Sequence, residues 1–226
     1  AGETYSDLSE SNGGVSDAFV MKLNSLGELE WVTQLGAVHQ SNNDEVISSE
    51  GYEACMSIEV DSLGNIFCGG YTSGSLGEDI GGGYDVFVMK LNSSGDLQWV
   101  TQLGDTTKPD GGDTSGYDSC NGVAVDSAGN IYCAGKTKSG IAETNGGDFD
   151  AFVMKLNSSG DLQWVTQLGS DSSNDSSLTI NSLKNDYCVD IAIDNLGNIV
   201  CAGYTDGDLL RTNEGGDAFF LKLNPS

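Results

Sequence analysis

One eight-residue phrase recurs four times in this chain. Asp17-Ala18-Phe19-Val20-Met21-Lys22-Leu23-Asn24 returns as Asp85-Val86-Phe87-Val88-Met89-Lys90-Leu91-Asn92. It returns again from Asp150 to Asn157, and as Asp217-Ala218-Phe219-Phe220-Leu221-Lys222-Leu223-Asn224. The copies are offset by 68, 65 and 67 residues. A near-fixed period of this size is the mark of a solenoid, propeller or other array, in which each repeat buries its apolar face against its neighbours. It also speaks against catalysis, because a reacting centre needs an asymmetric cluster of groups.

Each period holds four stretches with strand character. In the third copy of the frame these are Cys120–Asp126, Asn130–Gly135, Asp150–Asn157 and Leu162–Gly169. Apolar and polar residues alternate, and Val, Ile, Phe, Tyr and Trp are enriched, as pleated surfaces require. In the third stretch Phe152, Met154 and Leu156 fall on one face and Val153 and Lys155 on the other. Two tight turns recur, of the types Asp61-Ser62-Leu63-Gly64-Asn65 and Asn24-Ser25-Leu26-Gly27-Glu28. Glycine fourth in five residues predicts a type I turn closed by a left-handed glycine. The other connections are long and varied, at about 37–53, 105–118 and 170–186, and about 72–84, 136–149 and 204–216. In an up-and-down meander the tight turns then share one side of the array and the long loops the other. Most of the acidic residues fall in these loops, among them Asp44, Glu45, Glu78, Asp79, Asp110, Asp113, Asp118, Asp148, Asp206 and Asp208. The long-looped side is therefore expected to be anionic and to carry any binding function.

The chain as a whole carries a formal charge of -25, with 34 acidic against 9 basic residues. That balance opposes nucleic acid and anionic membranes, which need basic residues to neutralise phosphate. It suits cations, basic partners and solubility in salt. No run of apolar residues is long enough to span a bilayer.

The order VAVDSAGNIYCAG followed by DAFVMKLNSSGDLQWVTQLG resembles the bacterial seven-bladed beta-propeller (SBBP) repeat family, and shares its phase with NHL-type propellers. The resemblance implies an all-β array of four-stranded antiparallel blades, with the VAVD-type strand innermost and the LQWVTQLG-type strand outermost. It implies an extracellular or cell-surface setting and no single activity. On this reading residues 1–226 form one array, with copies starting near 17, 85, 150 and 217. About three full repeats are flanked by partial blades at 1–36 and 187–226. Unfinished blades leave sticky edges. Completion comes either from a longer chain or from end-to-end association with another copy.

Several repeated residues invite a chemical role. Asp17, Asp85, Asp150 and Asp217 each follow a glycine-rich stretch. One reading is a calcium ligand per blade, the other a strand-start turn held by Asx hydrogen bonds. No D-x-D-x-D-G loop is present, and no other cofactor is implied. Lys22, Lys90, Lys155 and Lys222 occupy one strand position and make up four of the nine basic residues. They either pair with carboxylates, Asp61, Asp126 and Asp194 being candidates, or lay their stems over apolar surface.

The six cysteines form three pairs 13 residues apart: Cys55 and Cys68, Cys120 and Cys133, Cys188 and Cys201. With a regular hairpin around Leu63, Cys68 lies opposite Ile58 and Cys55 opposite Tyr71. That points the two thiols to opposite faces, which opposes a bridge within the hairpin unless a bulge intervenes. A bridge between blades and buried free thiols are the alternatives. Trp31, Trp99 and Trp164 are read as packing between blades. His39 stands in a polar loop, and no serine sits in a nucleophile elbow, so no catalytic residue is assigned. The leading functional reading is a structural, self-associating surface or filament protein. The alternative is a module that binds calcium, a glycan or a basic protein through its long-loop side.

Overall fold

The computed structural model describes residues 1–9, 12–37, 51–77, 83–104, 116–138, 140–142, 145–170, 184–209 and 215–224. Among them, strands alternate with turns in four antiparallel sheets. The first sheet joins β1 (Gly2–Thr4), β2 (Asp17–Leu23) and β3 (Leu29–Leu35). The second runs β4 (Glu53–Val60), β5 (Ile66–Thr72), β6 (Asp85–Leu91) and β7 (Leu97–Leu103). The third repeats that order in β8 (Ser119–Val125), β9 (Ile131–Thr137), β10 (Asp150–Leu156) and β11 (Leu162–Leu168). The fourth holds β12 (Asp186–Ile193), β13 (Ile199–Thr205) and β14 (Asp217–Leu223). The three periods are thus divided into two four-stranded sheets flanked by two of three strands. The array is not closed into a ring. The innermost strands β4, β8 and β12 touch one another in succession, which places them at its axis.

The core lies between sheets rather than within one. In β10, Ala151, Phe152, Val153, Met154 and Leu156 are all buried. Phe152, Met154 and Leu156 pack towards the second sheet with Phe67, Val86 and Val88. Val153 and Ala151 pack towards the fourth with Cys188, Ile191, Ile199 and Phe219. The alternation of the strand therefore sorts apolar side chains between two neighbours instead of between core and solvent. Trp31 and Trp99 extend the same packing at the rim of the array. Each lies against the turn of the next sheet, where Thr33 and Thr101 donate hydroxyl hydrogen bonds of 2.6 Å to the carbonyls of Gly95 and Gly160.

Both tight turns take the expected form. Gly64 has φ +81° and its N–H donates to the Asp61 carbonyl at 3.0 Å. The Asp61 carboxylate accepts the N–H groups of Leu63 and Asn65, each at 2.8 Å, and the Asn65 amide at 2.7 Å. Asp126 and Asp194 repeat the arrangement. Burial pushes Asp61 and Asp126 up, but these donors outweigh it, and both carboxyls end below their usual value. The Asn198 amide and N–H hold the exposed Asp194 down at about 2.

All three cysteine pairs are disulfides within their own hairpins: Cys55–Cys68, Cys120–Cys133 and Cys188–Cys201. Cys68 does lie opposite Ile58, but Cys55 lies opposite Gly70 and not Tyr71. A bulge at Met56 makes the difference, and Asn121 and Val189 mark the same irregularity in the other two hairpins. The extra residue moves the first cysteine onto the face of the second, and Cα–Cα falls to 5.9 Å for Cys55–Cys68. Closing so short a loop restricts the unfolded chain by about 3 kcal/mol per bridge on the chain-entropy model.

Gly160 and Gly27 separate two costs at one turn position. Their φ angles are +88° and +80°. A Cβ on Gly160 would come within 2.8 Å of Trp99, whereas one on Gly27 meets nothing within 4 Å. Gly27→Ala is expected to cost about 1 kcal/mol in urea unfolding, the strain of the left-handed region alone. Gly160→Ala is expected to cost about 2–3 kcal/mol, because the Trp99 contact between sheets must also shift. Equal losses would refute that contact as a stabilising one.

Candidate ligand-binding face

The long-loop side is built from the strand ends that reach it. A buried acid stands at the start of β4, β8 and β12: Glu53, Asp118 just before Ser119, and Asp186. Each second strand ends there on a buried threonine: Thr72, Thr137 and Thr205. Thr72 and Thr137 hydroxyls lie 2.8 Å and 2.6 Å from the Glu53 and Asp118 carboxyls. β2, β6 and β10 begin on buried Asp17, Asp85 and Asp150, which accept the side-chain amides of Gln34, Gln102 and Gln167 at 2.8–2.9 Å. Asp17 and Asp150 also accept the N–H of Gly13 and Gly146. Asp217, in the fourth sheet, is exposed.

This polar ring is stitched across sheets. Backbone N–H groups of Glu53, Asp118 and Asp186 donate to the carbonyls of Ser16, Tyr84 and Phe149 in the preceding sheet, at 2.9, 2.9 and 2.8 Å. Because strand side chains alternate, a residue beside a buried polar anchor points outward. Those neighbours are aromatic. Tyr5, Tyr52, Tyr71, Tyr84, Tyr117, Tyr187 and Tyr204 each adjoin a buried threonine, aspartate or glutamate in sequence, and they are seven of the eight tyrosines. With Phe149, most of them join into one track. Centroids run 6.5 Å from Tyr52 to Tyr84, 4.9 Å to Tyr117, 6.1 Å to Phe149, 5.6 Å to Tyr187 and 5.8 Å to Tyr204. Tyr71 lies beside both Tyr84 and Tyr117.

The track is half-buried to exposed, so its rings are open to solvent on one side. Burial holds the phenols of Tyr84, Tyr117 and Tyr187 above their usual value and lifts Tyr71 to about 12. They stay neutral, offering O–H donors and ring faces. Lys136 sits among them, 4.8 Å from Tyr117 and Phe149 and 5.1 Å from Tyr187. The described part of this side is thus aromatic with a lysine at its centre. Of the expected acidic residues, Asp44, Glu45, Glu78, Asp79, Asp110 and Asp113 lie outside the described residues, as does His39. Asp118 is buried, Asp148 pairs with Lys138 at 3.0 Å, and Asp206 accepts the Asn185 amide at 2.9 Å.

The repeated lysines divide in two. Lys222 lies 3.5 Å from Asp194, and Lys22 pairs with Glu30 at 2.8 Å. Lys90 and Lys155 lie 5.4 Å over the rings of Phe67 and Tyr132 on the adjacent strand. Each is also opposite a tryptophan, Trp99 or Trp164. The turn side bears a cleft of about 430 Å³ between the second and third sheets, lined by Asp61, Leu63, Phe67, Lys90, Asp126 and Ser158 among others. Its carboxylates are already committed to their own turns. The aromatic track escaped the reading of the sequence because its residues sit just outside the constant frame. Their adjacency to strand-end acids and threonines was the available signal.

The repeat pattern of the SBBP beta-propeller repeat matches residues 30–78, 98–142 and 163–211, more than half of the chain. The chain belongs to the SBBP beta-propeller repeat family. Each matched SBBP segment begins in the outermost strand of one sheet and ends after the second strand of the next, so the repeat spans a blade boundary. No curated protein matches the chain. A crystal structure at 1.35 Å of a protein of unknown function from Bacteroides caccae is similar, at 10% identity and TM-score 0.39. The alignment covers 89% of this chain and 52% of that one, so this chain spans about half of that structure's length.

Glu53 gives the ring a measurable signature. Its burial lifts the carboxyl from 4.5 to about 7 against the pull of the Ala37 N–H and the Thr72 hydroxyl. The Thr72 hydroxyl has one proton for two acceptors, Glu53 at 2.8 Å and the Gly74 carbonyl at 2.9 Å. A protonated Glu53 resolves this by donating to Thr72. The folded state therefore favours the neutral acid, and its contribution is complete below about pH 4.5 and lost as pH rises through about 7. Thermal melts should show the wild type losing ground to Glu53→Gln across that window. Parallel curves for the two proteins would refute the shift.

Proposed function

We propose that this SBBP array is a non-enzymatic extracellular binding module that holds a glycan along its aromatic track. The single observation behind this reading is the gathering of seven of the eight tyrosines, with Phe149, on one side of the blades. Open ring faces stack on the apolar C–H faces of sugars, and neutral phenols donate to their hydroxyls. The polar ring beneath fixes the rings in place, so little side-chain entropy is lost on binding. Three disulfides suit an oxidising, extracellular compartment. No helix among the described residues is long and apolar enough to cross a membrane. The reading does not draw on calcium, since Asp17, Asp85 and Asp150 already face amide and N–H donors.

Binding to immobilised polysaccharides tests this. Tyr84→Ala with Tyr117→Ala should weaken retention by roughly tenfold or more, two aromatic contacts of about 1 kcal/mol each. Circular dichroism should stay that of the wild type. Undiminished retention in the double variant would overturn the assignment.

A second reading, structural self-association, is favoured by Phe220. It is 75% exposed, whereas its counterparts Val88 and Val153 are 0% and 1% exposed beneath the following sheet. Its occupant would be a further blade, supplied by the same chain or a second copy. Phe220→Asp should dissolve any assembly that forms through this face, read by analytical ultracentrifugation. Assemblies that survive the substitution would exclude this contact.

A further inference from the structure

Among the lysines of the long-loop side, Lys136 stands apart. Lys138 pairs with Asp148 at 3.0 Å, and Lys184 donates to the Asp206 carbonyl at 3.0 Å. Lys136 has three aromatic rings within 5.1 Å and no oxygen partner among the described residues. None of the described carboxylates pairs with it. Burial pushes its ammonium below the usual lysine value, as expected of a cation that has lost water and has no counter-ion among the described residues. The ring faces compensate for that loss only in part. What remains is a partly desolvated positive charge in the middle of an aromatic platform.

We propose that Lys136 makes the track selective for an acidic glycan, its ammonium engaging the carboxylate or sulfate of a sugar that stacks on the neighbouring rings. This rests on the glycan reading of the track given above. The surrounding charge narrows the ligand further. A net charge of -25 repels densely charged polyanions, including acidic peptides and nucleic acids. A uronate or sulfated sugar presents an acid group beside neutral hydroxyls and an apolar C–H face. That combination suits Lys136, flanked by phenols, while Lys138 over Phe149 is already paired with Asp148. The long-range field and the local contact then act in opposite directions. Added salt screens the field within a Debye length of about 8–10 Å, while the half-buried Lys136 contact is screened less. Association should therefore become faster as ionic strength rises to the physiological range.

The test is isothermal titration of the intact chain with oligosaccharides that carry a single uronate, a single sulfate or no acid group, and with a short poly-glutamate peptide. Lys136→Met, which keeps the stem, and Lys136→Arg, which keeps the charge, are titrated alongside. Acidic oligomers should bind the wild type, and Lys136→Met should weaken them about tenfold or more, the loss of one charge-assisted contact. Lys136→Arg should restore most of that loss, and neutral oligomers should not distinguish the three proteins. The uronate and sulfate arms separate a carboxylate ligand from a sulfate one. Equal binding of acidic and neutral oligomers, unaffected by Lys136→Met, would overturn the selectivity and leave the track as a neutral-sugar site. Absence of binding to every oligomer would overturn both. Preference for a poly-glutamate peptide over all sugars would overturn the glycan assignment and leave an anion site at Lys136.

Discussion

Everything on the long-loop side hangs from a backbone hydrogen bond that crosses between sheets. The N–H of Asp118 reaches the carbonyl of Tyr84, and Glu53 and Asp186 repeat the contact to Ser16 and Phe149. These bonds fix the angle at which one sheet meets the next, at the end where the loops are longest. The acid that follows each crossing is buried, and a buried carboxyl must be satisfied or neutralised. Thr72 and Thr137 hydroxyls answer that need at Glu53 and Asp118, and Ser170 answers it at one oxygen of Asp186, in each case locking the strand end. Pairs of outward side chains are thereby held next to one another on different sheets. An aromatic track that spans sheets follows from local rules applied at each joint.

The repeat frame made much of this legible. Strand content, the two turn types and the sidedness of the loops follow from spacing and alternation, whereas the inward place of the first strand came with the family resemblance. The former are local properties, set by a few adjacent residues. The pairing of Cys55 with Cys68 was not legible, because it depends on a bulge at Met56 that no residue type announces. Met56, Asn121 and Val189 share neither shape nor a common polarity, yet each is the extra residue. The bulge answers to how the first strand must curve at the axis, a property of the array and not of the hairpin.

The aromatic track was hidden for a different reason. Its members vary between copies: Glu3, Tyr71, Lys136 and Tyr204 share one strand position, and Ser16, Tyr84, Phe149 and Gly216 another. Variation within a constant frame looks like loop sequence when only the frame is read. In the folded chain the same variation makes the track asymmetric, so its middle, around Tyr117 and Lys136, differs from its ends. A scaffold with near-identical units can hold a directional surface only through such departures.

The confinement of each disulfide to its own hairpin has a consequence for assembly. Six cysteines admit about fifteen pairings, a search that grows steeply with every added pair. Here each thiol finds its partner 13 residues along the chain, inside a unit that emerges from synthesis together. Oxidation of one blade is independent of the number that precede it or follow it. Blades of this kind can be duplicated, deleted or exchanged by recombination without scrambling the covalent framework. The lineage is free to change the length of the array while leaving its chemistry of closure untouched.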